Sequence, residues 1–322
     1  MRVVEFWQQL LLELELGRAA YICLVVDQKK GSPGTTAARM VLTEGAQQFG
    51  TIGGGIMERR IIDDAQELLK NGQRLSPRLR VLSHRKDAKA GASGLICGGA
   101  QTNLEAVLTA EDTELVRGIV SAAEKGGGAE VCFDQNAIRL EPAADSLAAE
   151  THFFSQEEGE WHYRMSLRNL RRVVIYGGGH CGVALAQLMW RLDYAVSLVE
   201  PRSDLPTIDT LPDSIHRIST EFAKAAPLVT SPSETIAIVM TYSMATDIEA
   251  LSGAMPAGFK EIGLMGSQIK IAHIRASLIE KGFDRLQIQG ICAPIGLQFN
   301  SDTPEEIAVS IAAQILLERE SN

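Results

Sequence analysis

The chain predicts an α/β fold in two parts: a mixed α/β domain over residues 1–166, then a doubly wound parallel sheet over residues 167–322. Three observations carry that expectation. At 322 residues the chain has room for about two domains, at roughly 100–200 residues each. Its 45% hydrophobic and 22% charged residues are those of an ordinary globular protein, which excludes a disordered or low-complexity chain. The pattern also changes across the polar stretch 166–171. Before it, helices mix with short strands and hairpin signals. After it, strand and helix alternate as in a parallel sheet with crossover helices.

The first element is a helix over residues 3–16. Its apolar residues recur at helical spacing, and Glu5, Glu13 and Glu15 interrupt the apolar run. That pattern argues against a signal peptide and points to a cytoplasmic protein. No apolar run reaches the ~18–20 residues of a membrane span. An apolar strand follows at 21–26, then a turn-rich segment at 29–36, then strands at 39–42 and 48–52 flanking Gly45, which predict a hairpin. Gly53, Gly54 and Gly55 precede apolar positions 57, 61, 62, 65, 68 and 69, the period of a helix that Gly72 would stop. Strands at 78–84 and 102–108, a helix at 112–125 and short strands up to about residue 166 complete this part.

In the second part a strand at 173–176 leads into a glycine loop, a helix to about residue 192, and a strand at 195–199 ending at Glu200. Strands at 235–241 and 259–264 are each followed by a helix. The last helix is well marked: Thr303 suits the cap, Pro304 the first helical position, and Glu306 completes a capping box. Ile307, Ile311 and Ile315 line its packing face.

The formal net charge is −9, with 18 basic against 23 acidic residues before position 167 and 13 against 17 from there on. Neither half is basic, so general nucleic-acid binding is excluded as a working idea. Five cysteines (23, 97, 132, 181 and 292) form an odd set without C-x-x-C spacing, which fits reduced thiols rather than a disulfide framework. The six histidines show no metal-ligand spacing.

Gly177, Gly179 and Gly182 form a G-x-G-x-x-G loop between a strand and a helix, with Glu200 at the end of the next strand. This is the Rossmann-like fingerprint. Gly177 would allow the tight turn and Gly179 the approach of a phosphate, while Gly182 would allow close packing, with Glu200 facing a ribose diol. His180 and Cys181 lie inside the loop, and a thiol at a helix N-terminus tends to a lowered pKa. The other reading of the loop is packing alone. Gly53, Gly54 and Gly55 form a second glycine turn before a helix, where Glu58 would either cap the helix or meet a ligand. Cys97, Gly98 and Gly99 follow a local excess of positive charge at Arg78, Arg80, His84, Arg85, Lys86 and Lys89. That run would either face an anion or form a solvated surface. Gly266 and Ser267 open a further helix at the carboxyl edge of the predicted sheet, where Asp247 could also reach.

Taken in order, these segments resemble the xanthine dehydrogenase accessory factor family, XdhC/CoxI. The matching stretches are Gly31-Ser-Pro-Gly through Ala38-Arg-Met-Val, Gly50-Thr-Ile-Gly-Gly-Gly with Glu58, and Cys97-Gly-Gly. They continue through the 177–182 loop, Ile262-Gly-Leu-Met-Gly-Ser, Ala293-Pro-Ile-Gly-Leu, and Thr303-Pro-Glu-Glu-Ile-Ala-Val-Ser-Ile. The sequence departs from the common pattern at Ile56, Tyr242, Gln268-Ile269-Lys270 and Cys292.

The resemblance implies an N-terminal XdhC/CoxI domain, a C-terminal Rossmann-like domain and a homodimer. It implies an accessory role rather than turnover of a substrate: binding molybdenum cofactor (molybdopterin), supporting its sulfuration, and delivering it to an apo molybdenum hydroxylase, with a cysteine desulfurase as second partner. The pterin phosphate would sit on one of the two glycine turns, with Arg39 or Lys270 adding charge, and Cys97 would be the thiol nearest the molybdenum. The rival reading is an NAD(P)-dependent oxidoreductase resting on the fingerprint and Glu200, although no Tyr-x-x-x-Lys proton relay accompanies it. A third is a scaffold that only docks hydroxylase and desulfurase.

Overall fold

A computed structural model describes residues 1–29, 34–83, 100–125, 128–143, 152–157, 159–167 and 171–320. The chain divides into two units, Met1–Arg168 and Asn169–Asn322.

The N-terminal unit is organised by an antiparallel sheet in the order β3-β2-β1-β5-β4. Its strands are β1 (Ala20–Gln28), β2 (Arg39–Thr43), β3 (Gln48–Thr51), β4 (Arg78–Ser83) and β5 (Ala100–Leu108). Strand β1 is apolar from Ala20 to Val26 because both of its faces are covered there. Ala20, Ile22, Leu24 and Val26 join one core with α1 (Val3–Glu15), α3 (Thr113–Glu124) and a second antiparallel sheet. Tyr21, Cys23 and Val25 join the other core, beneath α2 (Gly55–Lys70). The second sheet runs β7-β6-β9-β8, from β6 (Ala129–Phe133), β7 (Ile138–Pro142), β8 (His152–Glu157) and β9 (Glu160–Ser166). Helix α1 buries Phe6, Trp7, Leu10 and Leu14 at helical spacing, and the Trp7 ring stacks on Phe133 at 6.4 Å between centroids. The expected hairpin forms between β2 and β3. Its left-handed residue is Ala46 (φ 60) rather than Gly45.

The C-terminal unit is a parallel five-stranded sheet in the order β12-β11-β10-β13-β14. In chain order it contains β10 (Arg172–Tyr176), α4 (His180–Arg191), β11 (Ala195–Val199), β12 (His216–Ile218), β13 (Thr235–Val239) and α5 (Met244–Ala254). Then come β14 (Glu261–Leu264), α6 (Gln268–Glu280), α7 (Arg285–Gln289) and α8 (Pro304–Glu320). Alternate residues of β10 serve two cores, as the period of two requires. Val173 and Ile175 pack with α4 and with Ile311 and Ile315 of α8. Val174 and Tyr176 pack with Leu251 of α5 and Ile271 and Ile274 of α6. Thr303 and Glu306 cap α8 reciprocally, at 3.2 and 3.0 Å.

The path from β10 through α4 to β11 moves outward on one side, and β13 lies on the other. The chain therefore reverses direction between β10 and β13, and in open α/β sheets the crevice at such a reversal is where ligands bind. Among the described residues no helix is long and apolar enough to cross a membrane.

Candidate functional site

The loop after β10 sits at that reversal, and its three key glycines are there for different reasons. Gly177 has φ 119°, and a β-carbon on it would come within 2.5 Å of the Met240 carbonyl oxygen. A β-carbon on Gly182 would lie 3.0 Å from the Gly177 carbonyl carbon and closer still to its oxygen. Both positions exclude any side chain. Gly179 has φ −69° and open space where a β-carbon would be. Of the three glycines it is the one with open space beside it for another molecule.

Gly179 is also the N-cap of α4. It offers no side-chain cap, and the first turn of that helix carries no acidic residue. The helices that begin nearby, α5 and α6, are capped by Ser243 and Ser267, which accept from the N–H groups of Thr246 and Lys270. Of the three helix starts at this edge, α4 is the one left open to an anion.

Glu200 lies at the end of β11 and is almost fully buried. One carboxylate oxygen accepts the Gly178 N–H at 2.8 Å. The Arg202 guanidinium donates to both oxygens, at 2.7 and 2.9 Å. Burial works to raise this carboxyl, but the bonds from Arg202 and from the Gly178 and Arg202 N–H groups outweigh it and hold it below its ordinary value. Arg202 in turn lies 4.3 Å over the Tyr242 ring, a cation–π contact. Glu200 therefore braces the loop, with both of its oxygens engaged within the chain. Tyr242 is 58% exposed and Met244 43%, so an aromatic and a thioether face solvent just beyond β13.

Asp247 is fully buried. It accepts the Thr241 N–H at 3.0 Å and hydroxyl at 2.6 Å, and it pairs with Lys270 on α6. Lys270 thus serves the turn beneath the crevice. Ser267 caps α6 as expected, and Gly266 leaves only limited room beside the Lys270 side chain. At Cys181 burial, aided by Glu305, raises the thiol pKa, against the lowering expected from the helix N-terminus alone. His180, the first residue of α4, is exposed.

In the N-terminal unit, Gly53, Gly54 and Gly55 all have positive φ (125, 71 and 71°), a run that only glycine tolerates cheaply. The turn is clamped by Glu58, which accepts the Thr51 hydroxyl at 2.5 Å, the Ile52 N–H at 2.8 Å, the Gly54 N–H at 3.1 Å and the Gln48 amide at 2.9 Å. Burial opposes ionisation, yet these four donors keep the carboxyl below its ordinary value. Since the ionised form is preferred by the fold, its stabilisation is present above the unfolded value and is lost as pH falls through the folded one. Glu58→Gln is expected to cost the N-terminal unit about 2 kcal/mol at neutral pH. In urea titrations the gap from the parent should shrink below about pH 4.5, the ordinary carboxyl value. A gap that does not vary with pH would assign the loss to shape, not charge.

A polar row on β5 escaped the sequence reading. Gln101, Asn103 and Glu105 alternate along the strand and are all buried. The Gln101 amide donates to the Ile52 carbonyl at 3.2 Å, holding the glycine turn from its other side. One Glu105 oxygen accepts from Nε and Nη2 of Arg78, at 3.0 and 2.9 Å. Period-two polarity normally marks a solvent face. The available signal was the run of basic residues on the neighbouring strand β4 (Arg78, Arg80), the partners such a row needs. Cys97, Gly98 and Gly99, with the basic run 84–89, lie outside the described residues.

Comparison with known proteins agrees with this architecture. The model described as "XdhC Rossmann domain" matches residues 173–315, and the one described as "XdhC and CoxI family" matches residues 14–81. YqeB of Escherichia coli (strain K12), described as an uncharacterized protein, is 24% identical over 296 residues. Those residues are 91% of this chain but 42% of YqeB, so the chain spans under half the length of that relative. A crystal structure described as a xanthine dehydrogenase from Bacillus halodurans superposes with a TM-score of 0.75 at 18% identity, covering 100% of this chain and 97% of the other. It shares the fold from end to end. With its Rossmann domain and residues 14–81 of its N-terminal unit each matched by a model of the same family, the chain belongs to the XdhC and CoxI family.

Proposed function

We propose that the protein binds molybdenum cofactor and assists the maturation of a xanthine dehydrogenase-type molybdenum hydroxylase. The observation that carries the reading is the start of α4: an uncapped helix N-terminus with open space at Gly179, at the reversal point of a parallel sheet. The pterin carries a terminal phosphate, and backbone N–H groups there suit it. The exposed Tyr242 ring, backed by Arg202, offers a flat surface to a flat heterocycle. When bound, the cofactor supplies the molybdenum centre that the hydroxylase uses. The chain's own work is to hold the phosphate, shelter the pterin and release it. Family membership supports the wider role, in which an apo-hydroxylase and a cysteine desulfurase are the partners, a homodimer is the assembled form, and Cys97 is the thiol nearest the metal.

Binding of NAD(P) is the competing outcome. It is disfavoured by Glu200, whose oxygens already serve Arg202 and Gly178. Protein purified from cells that make molybdenum cofactor should release one molybdopterin per chain on denaturation, read by mass spectrometry. Gly179→Val should release at least tenfold less, and Cys97→Ala should retain less molybdenum and sulfur than pterin. Release of a nicotinamide nucleotide instead, or of nothing, overturns the reading.

A further inference from the structure

At the opposite end of β14 from the crevice, three potential metal ligands converge. Glu261 opens β14, Cys292 sits in the loop before α8, and Glu318 lies in the last turns of α8. A carboxylate oxygen of each glutamate and the thiol sulfur all lie within 4.8 Å of one another. All three side chains are half-buried. We propose that Glu261, Cys292 and Glu318 form a divalent-cation site, suited to Zn²⁺ or a similar borderline-soft ion, that clips the end of α8 to the edge of the parallel sheet.

Three observations support a built site over a chance gathering. First, Cys292 is fixed in place by backbone. Its N–H donates to the Ile262 carbonyl and its carbonyl accepts from the Leu264 N–H, both at 2.9 Å, so it continues the sheet beside Gly263. Second, Gln314, one turn before Glu318, holds two of the three ligands at once. Its amide nitrogen lies 3.0 Å from the Cys292 sulfur and 2.8 Å from a Glu318 oxygen. Its amide oxygen accepts the Gly296 N–H at 2.6 Å, which fixes the amide's orientation. Outer groups that orient ligands in this way are a regular part of metal centres. Third, the donor set is mixed. One thiolate with two carboxylates suits zinc-like ions better than calcium or magnesium, which take oxygen alone. Three protein ligands also leave a fourth position for water.

The site would be structural. It lies at the amino end of β14, whereas the glycine loop and the α4 N-terminus lie at the carboxyl end of the sheet. Binding to the folded state alone raises its stability by mass action.

Cobalt serves as the spectroscopic probe. The full chain, freed of metal and titrated with Co²⁺, should bind one ion per chain at this site and show a near-ultraviolet thiolate-to-cobalt band. Zn²⁺ should bleach that band at one equivalent and raise the unfolding temperature. Cys292→Ser should abolish the band, and Glu318→Gln should weaken binding at least tenfold, while Cys181→Ser leaves both intact. A band that persists in Cys292→Ser, or affinity unchanged in Glu318→Gln, would overturn the site. If Cys292→Ser fails to fold, the Glu318→Gln titration still decides. Because the readout is metal bound to the chain, its failure leaves the pterin reading untouched.

Discussion

Gly182→Ala is expected to destabilise the C-terminal unit by about 3 kcal/mol, the upper part of the range for forcing a methyl group into a packed site. Gly179→Ala, three residues earlier, is expected to cost less than about 0.5 kcal/mol. The two substitutions add the same atom to the same loop. At Gly182 that atom would sit against the Gly177 carbonyl, and neither partner can yield. Gly177 is pinned by the bond from its N–H to Val199 at 2.9 Å, and α4 is held by its packing on α8 and β10. At Gly179 the new methyl points into open space, and the backbone (φ −69°, ψ 178°) suits any residue. Urea unfolding of the two variants measures the difference directly. Ligand binding should rank them the other way. Folded Gly179→Ala should lose pterin affinity about tenfold, since its methyl stands where a phosphate would approach the helix start. Equal stabilities in the two variants would mean that the loop relaxes and that close packing does not fix its shape.

The same pair shows how much the sequence could tell. The G-x-G-x-x-G spacing predicted both the strand–loop–helix unit and the duties of Gly177 and Gly182, a tight turn and close packing, because at those two positions there is no room for a β-carbon. The β2–β3 hairpin, α2 after its glycine turn and the capping of α8 were legible for a similar reason: each is set within a few residues. Strand β12 was not legible. His216, Arg217 and Ile218 are too few to show a period, and only pairing with β11 makes them a strand.

Charge partners were the other gap. Glu200 read as a free acceptor because Arg202 is an unremarkable surface residue by type. Only the fold turns it back onto the carboxylate. Cys181 read as reactive because the helix N-terminus was visible, whereas burial and Glu305 on α8 were not. Glu261 and Glu318 lie 57 positions apart in sequence, with Cys292 between them, so no local spacing could bring the three together.

The second large effect concerns Asp247 and Lys270, which sequence reading placed near the crevice but did not join. Lys270→Met is expected to destabilise the C-terminal unit by about 4 kcal/mol, because it leaves a fully buried carboxylate without its counter-charge. Asp247→Asn should cost less, about 2 kcal/mol. The amide oxygen can still accept from the Thr241 N–H and hydroxyl, and the Lys270 side chain, 26% exposed, can turn toward water. The double variant should be more stable than Lys270→Met alone, since removing the stranded charge removes the penalty. A double-mutant cycle in urea should return a coupling of about 3 kcal/mol. Coupling near zero would show that solvent already screens the pair and that Thr241 alone holds Asp247. The position of the pair makes this a test of the site as well. Asp247 fixes the turn after β13 that carries Tyr242, and Lys270 belongs to the first turn of α6. A tie between them sets the spacing of two edges of the crevice, so loss of the pair should weaken pterin binding even in variants that remain folded.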